Sequence, residues 1–189
     1  MARREATKAE ILDAAWDIVR AEGLAALSLR DLAKRVGMQA PSLYQYYDSK
    51  NAIYDAMFAE GNRQLLARYT KLRETDDPIR DLRVGARLFV EFCAEDAARY
   101  QLLFQRTIPG FEPSPESYAV ALEVFDLGRG RLARAGFAEK RAMDLWTAMV
   151  AGLSAQQIAN DPGGTRWLRL VDEVVDMFVQ HMTRNRRRP

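Results

Sequence analysis

Apolar residues recur at spacings of three and four along almost the whole chain, and the runs are separated by short segments rich in glycine or proline. The first run places Ile11, Leu12, Ala15, Ile18 and Val19 on one face, after Thr7 and before Gly23. This spacing predicts an amphipathic helix closed at a glycine, followed by a connector over Leu24–Leu27. Ser28 then stands at an N-cap position, and Leu29, Leu32, Ala33 and Val36 form one stripe over two turns. That stripe stops at Gly37, where the left-handed backbone needed for a tight reversal costs least. A third helix is expected to start near Gln39 or Ala40. Pro41 falls in its first turn, where a missing N–H is harmless, and Leu43 and Tyr47 pack inward at i and i+4. Ser42, Tyr44, Gln45 and Tyr46 are left on the outer faces.

The pattern beyond this head is helical as well. Ile53, Met57, Phe58, Leu65, Leu66 and Tyr69 predict a long helix from Asp48 to about Glu74, broken by Thr75-Asp76-Asp77-Pro78. Ile79, Leu82, Ala86, Phe89 and Cys93 mark the next helix, and another is expected near Asp96 with Tyr100, Leu103 and Phe104. The segment Pro109-Gly110-Phe111-Glu112-Pro113-Ser114-Pro115 is too rich in proline to be helical, and Pro115 is placed to open a helix carrying Tyr118, Leu122 and Phe125. Two further helices are expected, from Ala138 to about Asn160 and from about Thr165 to the end, separated by Asp161-Pro162-Gly163-Gly164. No strand is needed, so the fold class is all-α: a three-helix head with a helix-turn-helix, and a larger helical body.

Composition narrows the functional classes. The 189 residues carry a formal net charge of only +2, so DNA binding would depend on a local footprint and base contacts rather than bulk charge. Arg3, Arg4 and Lys8 form one basic cluster, Lys34, Arg35 and Lys50 a second, and Arg184, Arg186, Arg187 and Arg188 a third. The first invites reading as an arm reaching the minor groove, with a solvated terminus as the alternative. The third reads as a frayed end. A single cysteine, Cys93, provides no disulfide framework within the chain, and neither a signal core nor a membrane-length apolar run is present, which fits a reducing cytoplasm. The only histidine, His181, lies near the end of the last helix, so no catalytic triad or histidine metal site assembles in one subunit. No catalytic residue, metal or cofactor is therefore expected. Glu91, Glu95 and Asp96 read as a solvated acidic face, and Gly128-Arg129-Gly130-Arg131 lacks the strand and third glycine of a phosphate loop.

The outward residue types of the third helix suit a duplex: Gln bonds an adenine edge, Ser donates or accepts, and Tyr reaches phosphate. An ordinary αα-corner with exposed tyrosines is the bland alternative. Upstream context favours the first reading. Thr7, Ile11, Ala14-Ala15, Gly23, Ser28, Asp31-Leu32-Ala33, Gly37, Leu43-Tyr44, Tyr47 and Lys50 resemble, in order and spacing, the N-terminal domain of the TetR family of transcriptional regulators. Three positions depart from that pattern. Gln39 replaces a Ser or Thr cap, Asn51 replaces an acid, and Tyr47 replaces a phenylalanine. The resemblance implies a DNA-binding head over 1–50, with contacts from Ser28, Arg30, Gln39, Ala40, Pro41, Ser42, Tyr44, Gln45, Tyr46 and Lys50. It implies a ligand-binding and dimerisation body over 51–189.

Candidate ligand residues in the body are Phe89, Phe92, Tyr100, Phe104, Phe111, Tyr118, Phe125, Trp146 and Met149, because pockets between helices are lined mainly by such groups. Gln101, Gln156 and Gln157 are candidate polar anchors, and few ionisable groups are expected nearby. In the resembled family the last two helices pair across a dimer, which points to Ala148, Gly152, Val171, Val175, Phe178 and Met182 as interface; burial inside the monomer is the alternative. The function implied is a ligand-responsive regulator, a repressor holding a near-palindromic double-stranded DNA operator as a homodimer and released by a small apolar or aromatic effector. The alternative class is a helical small-molecule binding or protein-interaction module that no longer reads DNA specifically.

Overall fold

The computed structural model describes residues 2–186, with side chains from Arg3 to Arg184. Its helices are α1 (Ala2–Glu22), α2 (Leu29–Arg35), α3 (Ala40–Leu43), α4 (Lys50–Tyr69), α5 (Pro78–Glu95), α6 (Ala97–Phe104), α7 (Pro115–Arg134), α8 (Lys140–Asn160) and α9 (Val171–Arg186). Two single 3₁₀ turns, Leu24–Ala26 and Leu168–Leu170, complete the regular structure, and among the described residues there is no strand. No described helix is long and apolar enough to cross a membrane. The all-α expectation holds.

Helix ends follow local chemistry. Ser28 caps α2 by accepting from the Asp31 amide at 3.1 Å, and its hydroxyl donates to the Asp31 carboxylate. Asp96 caps α6 through the Arg99 amide at 2.9 Å. The Asp77 carboxylate accepts from Ile79 and Arg80 at 3.1 and 2.9 Å, with Pro78 opening α5. Some boundaries differ from the sequence expectation. α1 begins at Ala2 rather than after Thr7, whose hydroxyl folds back onto the Arg3 carbonyl at 3.0 Å instead of capping. α4 begins at Lys50, with Ser49 rather than Asp48 accepting from the Ala52 amide at 3.1 Å. α9 begins six residues after Thr165 because Gln157 takes the amides of Trp167 and Leu168 at 2.9 and 3.3 Å and holds the connector open.

The chain packs as two compact units that are not sequential: residues 1–63 with 96–121, and residues 64–95 with 122 onward. The core of the first gathers Ile11, Trp16, Val19, Leu32, Leu43, Ile53, Tyr54 and Met57, joined by Ala98 and Leu102 of α6. Trp16 adds a bond from its indole nitrogen to Glu60 at 2.9 Å, so α1 is pinned to α4 by both packing and a polar contact. In the second unit Leu82, Ala86 and Val90 of α5 meet Trp146, Val150 and Leu153 of α8 and Val171, Val175, Phe178 and Met182 of α9. Phe178 presents its edge to both Phe137 and Trp146, at centroid distances of 5.4 and 5.3 Å.

Candidate nucleic-acid interface

The reversal between α2 and α3 is built by one glycine. Gly37 has φ of 68°, and its amide bonds the Lys34 carbonyl at 3.2 Å while the Met38 amide bonds Ala33 at 2.8 Å. These two bonds form a Schellman closure, which satisfies the last carbonyls of α2 and turns the chain at once into α3. Gln39 occupies the N-cap of α3 with extended backbone and makes no capping bond through its side chain, leaving the amide group exposed. Pro41 sits in the first turn, as expected. α3 itself is one turn long, and Tyr44 to Tyr46 continue it as hydrogen-bonded turns.

Leu43 is fully buried and Tyr47 nearly so, which fixes the rotation of this turn about its axis. Gln39, Pro41, Tyr44 and Gln45 are consequently exposed, with Ala40, Ser42 and Tyr46 half-buried. Tyr44 is 52% exposed, large for a tyrosine in a packed head. Burial, reinforced by the negative charges of Glu5 and Glu60, pushes the Tyr47 phenol up to about 12, so the hydroxyl stays protonated.

Basic groups frame this surface. Arg30 and Lys34 are exposed on α2, and among the described residues neither has an ion-pair partner. Arg35 lies 3.6 Å from Asp17. Lys50 donates to the Ala25 carbonyl at 3.0 Å and lies over the Tyr54 ring. Arg3 and Arg4 belong to the first turn of α1 and are no arm: Arg4 donates to the Gln45 carbonyl at 2.9 Å and lies 6.0 Å from the Tyr46 ring centroid. The sequence held no signal for that contact, which links residues forty-one positions apart. Arg187 and Arg188 of the C-terminal cluster, and the side chain of Arg186, lie outside the described residues.

The candidate ligand residues fall in both units. Tyr100 is buried in the first and tilts against Phe104 at 6.0 Å, while Phe104 and Tyr118 are exposed. Phe111 meets the edge of Tyr54 at 5.6 Å and so covers the head core. In the second unit Phe92 is buried beneath Arg68, Trp146 lies in the core, Phe89 and Met149 are half-buried against it, and Phe125 is exposed. Gln157 is committed to the connector after α8, bonding Gly164 at 3.1 Å as well as the two amides already named. Two basic groups outside the head are themselves buried, Arg99 and Arg131, each only 7% exposed. The acidic face also resolves into structural pairs, because Glu95 forks onto Arg68 at 2.7 and 2.6 Å and Asp96 meets Arg20 at 2.8 Å.

The dimer expectation is corrected in part. Val171, Val175, Phe178 and Met182 are at most 2% exposed within the single chain, since the apolar stripe of α9 faces α5 and α8. Ala148 and Gly152 of α8 do face outward, as do Leu170 and Met177, the latter 60% exposed.

A glycine-closed α2, a one-turn α3 with polar groups outward and a framing set of cations define a helix-turn-helix DNA-binding head. Residues 11–57 match the family model of bacterial regulatory proteins, tetR family, so this head is a TetR-family N-terminal domain. The transcriptional activator FasR of Mycolicibacterium smegmatis is 29% identical over 103 residues, 54% of this chain and 47% of that protein. The chain thus spans about half the length of the curated relatives it matches. The fold of most of the chain is shared with solved regulators. Bacillus subtilis FadR in complex with stearoyl-CoA has a TM-score of 0.73 at 17% identity, over 89% of this chain and 96% of that one. A TetR variant of Acinetobacter baumannii in complex with minocycline has a TM-score of 0.65 at 21% identity, over 94% and 97%.

Proposed function

We propose that this protein is an effector-responsive transcriptional regulator that holds a near-palindromic DNA operator as a homodimer. The observation that carries the reading is the polar surface of α3 and its flanks, exposed Gln39, Tyr44 and Gln45 with half-buried Ser42, presented by a sealed Schellman turn beside Arg30 and Lys34, which have no ion-pair partner among the described residues. Phosphate contacts by tyrosines and cations set register, and the glutamines and Ser42 read base edges. Two such heads in one dimer meet successive major grooves about 34–36 Å apart.

In this reading residues 1–50 bind DNA and 51–189 bind effector and partner. An effector that binds the operator-released state better than the operator-bound one shifts the dimer off DNA, and occupancy of the operator represses. The two ligand-bearing neighbours hold stearoyl-CoA and minocycline, both with large apolar parts, which supports an effector with an apolar or aromatic body. The test is a gel shift with the promoter region beside the gene, paired with the level of the adjacent transcript in a deletion strain. A specific shift and a raised transcript are expected. A lowered transcript would make the protein an activator, as the name of the FasR relative records; absence of any specific shift, also with binding sites selected from random DNA, would leave a helical binding module.

A further inference from the structure

Among the described residues of the second unit, several half-exposed arginines are ion-paired while a buried one is not. Arg68, Arg83, Arg87, Arg129 and Arg134 have side chains 34–62% exposed, and each has a carboxylate within ion-pair distance. Arg131 is far more buried, at 7% exposure, and no described carboxylate lies within ion-pair distance of it. Its Nε is sealed from solvent and makes no hydrogen bond. The contacts it does have are a Tyr69 ring 5.9 Å away and a stem laid along Gly85, where a Cβ would meet the arginine Cδ at 3.5 Å. The Tyr69 hydroxyl supplies no negative charge in compensation, because it donates to the Gly85 carbonyl at 3.1 Å and burial pushes its phenol far above the ordinary value, so it stays protonated. Asp81, the buried acid of the same unit, is already held by Thr75 and Arg134.

Buried charge without a counterion is costly, and arginine cannot shed its proton to escape that cost. A planar guanidinium with free N–H groups is matched by a carboxylate or similar oxyanion, which accepts two parallel bonds. The contacts given for Arg131 are Tyr69 and Gly85, and on the helix face that carries Gly85 the residues Phe89 and Cys93 follow at successive turns, with the engaged Asp81 one turn before. We propose that Arg131 is the anion anchor of the effector site, and that the effector is an amphipathic organic acid with one oxyanion head and an apolar body. This rests on the reading of the body as an effector receptor and sharpens it, since a neutral apolar molecule would leave the guanidinium unpaired.

The experiment is thermal unfolding and ligand titration of the full chain with decanoate, decyl phosphate and decan-1-ol, for wild type, Arg131→Gln and Arg131→Lys. Decanoate should raise the wild-type Tm well beyond decan-1-ol, and the comparison with decyl phosphate identifies which oxyanion head is preferred. Arg131→Gln should fold with an unliganded Tm at or above that of wild type, because an uncompensated charge has been removed, and should bind decanoate about tenfold or more weakly. Arg131→Lys should retain part of the affinity. Equal stabilisation by decan-1-ol and decanoate would overturn the anion anchor while keeping an apolar effector site. Failure of all three compounds would overturn both. Loss of several degrees in unliganded Arg131→Gln, with Arg131→Lys binding decanoate as wild type does, would make Arg131 a packing residue and overturn the proposal.

Discussion

Lys50 donates its ammonium to the Ala25 carbonyl at 3.0 Å, so the first residue of α4 is tied to the 3₁₀ turn that precedes α2. The same charge lies 5.4 Å from the centroid of the Tyr54 ring. One of its three donors is thereby used, and two remain for a phosphate. Lys50→Ala is expected to lower stability by about 1 kcal/mol, the worth of one such bond. It should also weaken binding to all DNA sequences alike and reduce the salt slope by about one contact. Denaturant unfolding and binding at several salt concentrations check the two parts separately.

Arg4 and Gln45 divide a second pair of roles. The Gln45 carbonyl is held by Arg4, while its side chain stands exposed on the outer face. Gln45→Ala is expected to relax preference at one base pair per half-site, by about 1–3 kcal/mol there. Arg4→Ala frees the turn after α3 and should weaken binding without altering the preferred site. Selection from random DNA distinguishes them, and an unchanged motif in Gln45→Ala would remove that residue from base reading.

These two contacts mark where the sequence ceased to inform. The head was legible because its signals are local: Ser28 precedes a three-four stripe, Gly37 takes a positive φ, and Pro41 follows in the next first turn. Asp96 and Pro115 placed further helix starts for the same reason, and Pro78, read as part of a break, also opens α5. Arg4 on Gln45 and Lys50 on Ala25 depend on how α1 and α4 lie against the head, which periodicity does not encode. Likewise the stripe of α9 announces burial but not its partner: it fits a second chain or the chain's own helices, and α5 and α8 cover it. The burial of Arg131 is not legible either, because a glycine-arginine repeat fits a flexible or a closely packed part of a helix equally well.

Asp81 is the buried acid of the second unit that ties the segment before α5 to α7. Only 3% exposed, it accepts from the Thr75 amide and hydroxyl at 2.9 and 2.8 Å and from Arg134 at 3.0 Å. These bonds, led by the Thr75 amide, hold its carboxyl below the usual carboxylate range. Because the folded value is the lower one, the stabilisation is present above the ordinary carboxylate pKa and is lost as pH falls through the depressed folded value. Asp81→Asn should cost about 2–4 kcal/mol, less than a fully buried pair because Arg134 is partly exposed. It should also flatten the acid limb of the stability curve. Urea midpoints measured from neutral pH downward test this; parallel curves for the variant and wild type would exclude Asp81 as the source.

Dimerisation is best tested on the outward faces of α8 and α9. Gly152 is exposed, and a Cβ added there meets nothing within 4 Å, so Gly152→Arg introduces bulk and charge without disturbing the chain's own packing. Met177, 60% exposed on α9, can likewise be changed to Glu at little internal cost. We expect a dimer at micromolar concentration by light scattering, and folded monomers from the Gly152→Arg/Met177→Glu double variant with unchanged helical circular dichroism. Val175→Glu should behave differently, because Val175 is 1% exposed within its own chain and an unpaired buried carboxylate costs several kcal/mol. That variant should unfold rather than dissociate. If the double variant remained dimeric, the interface would lie on another face of the chain; if Val175→Glu instead gave a well-folded monomer, α9 would be less firmly packed against α5 and α8 than its burial indicates.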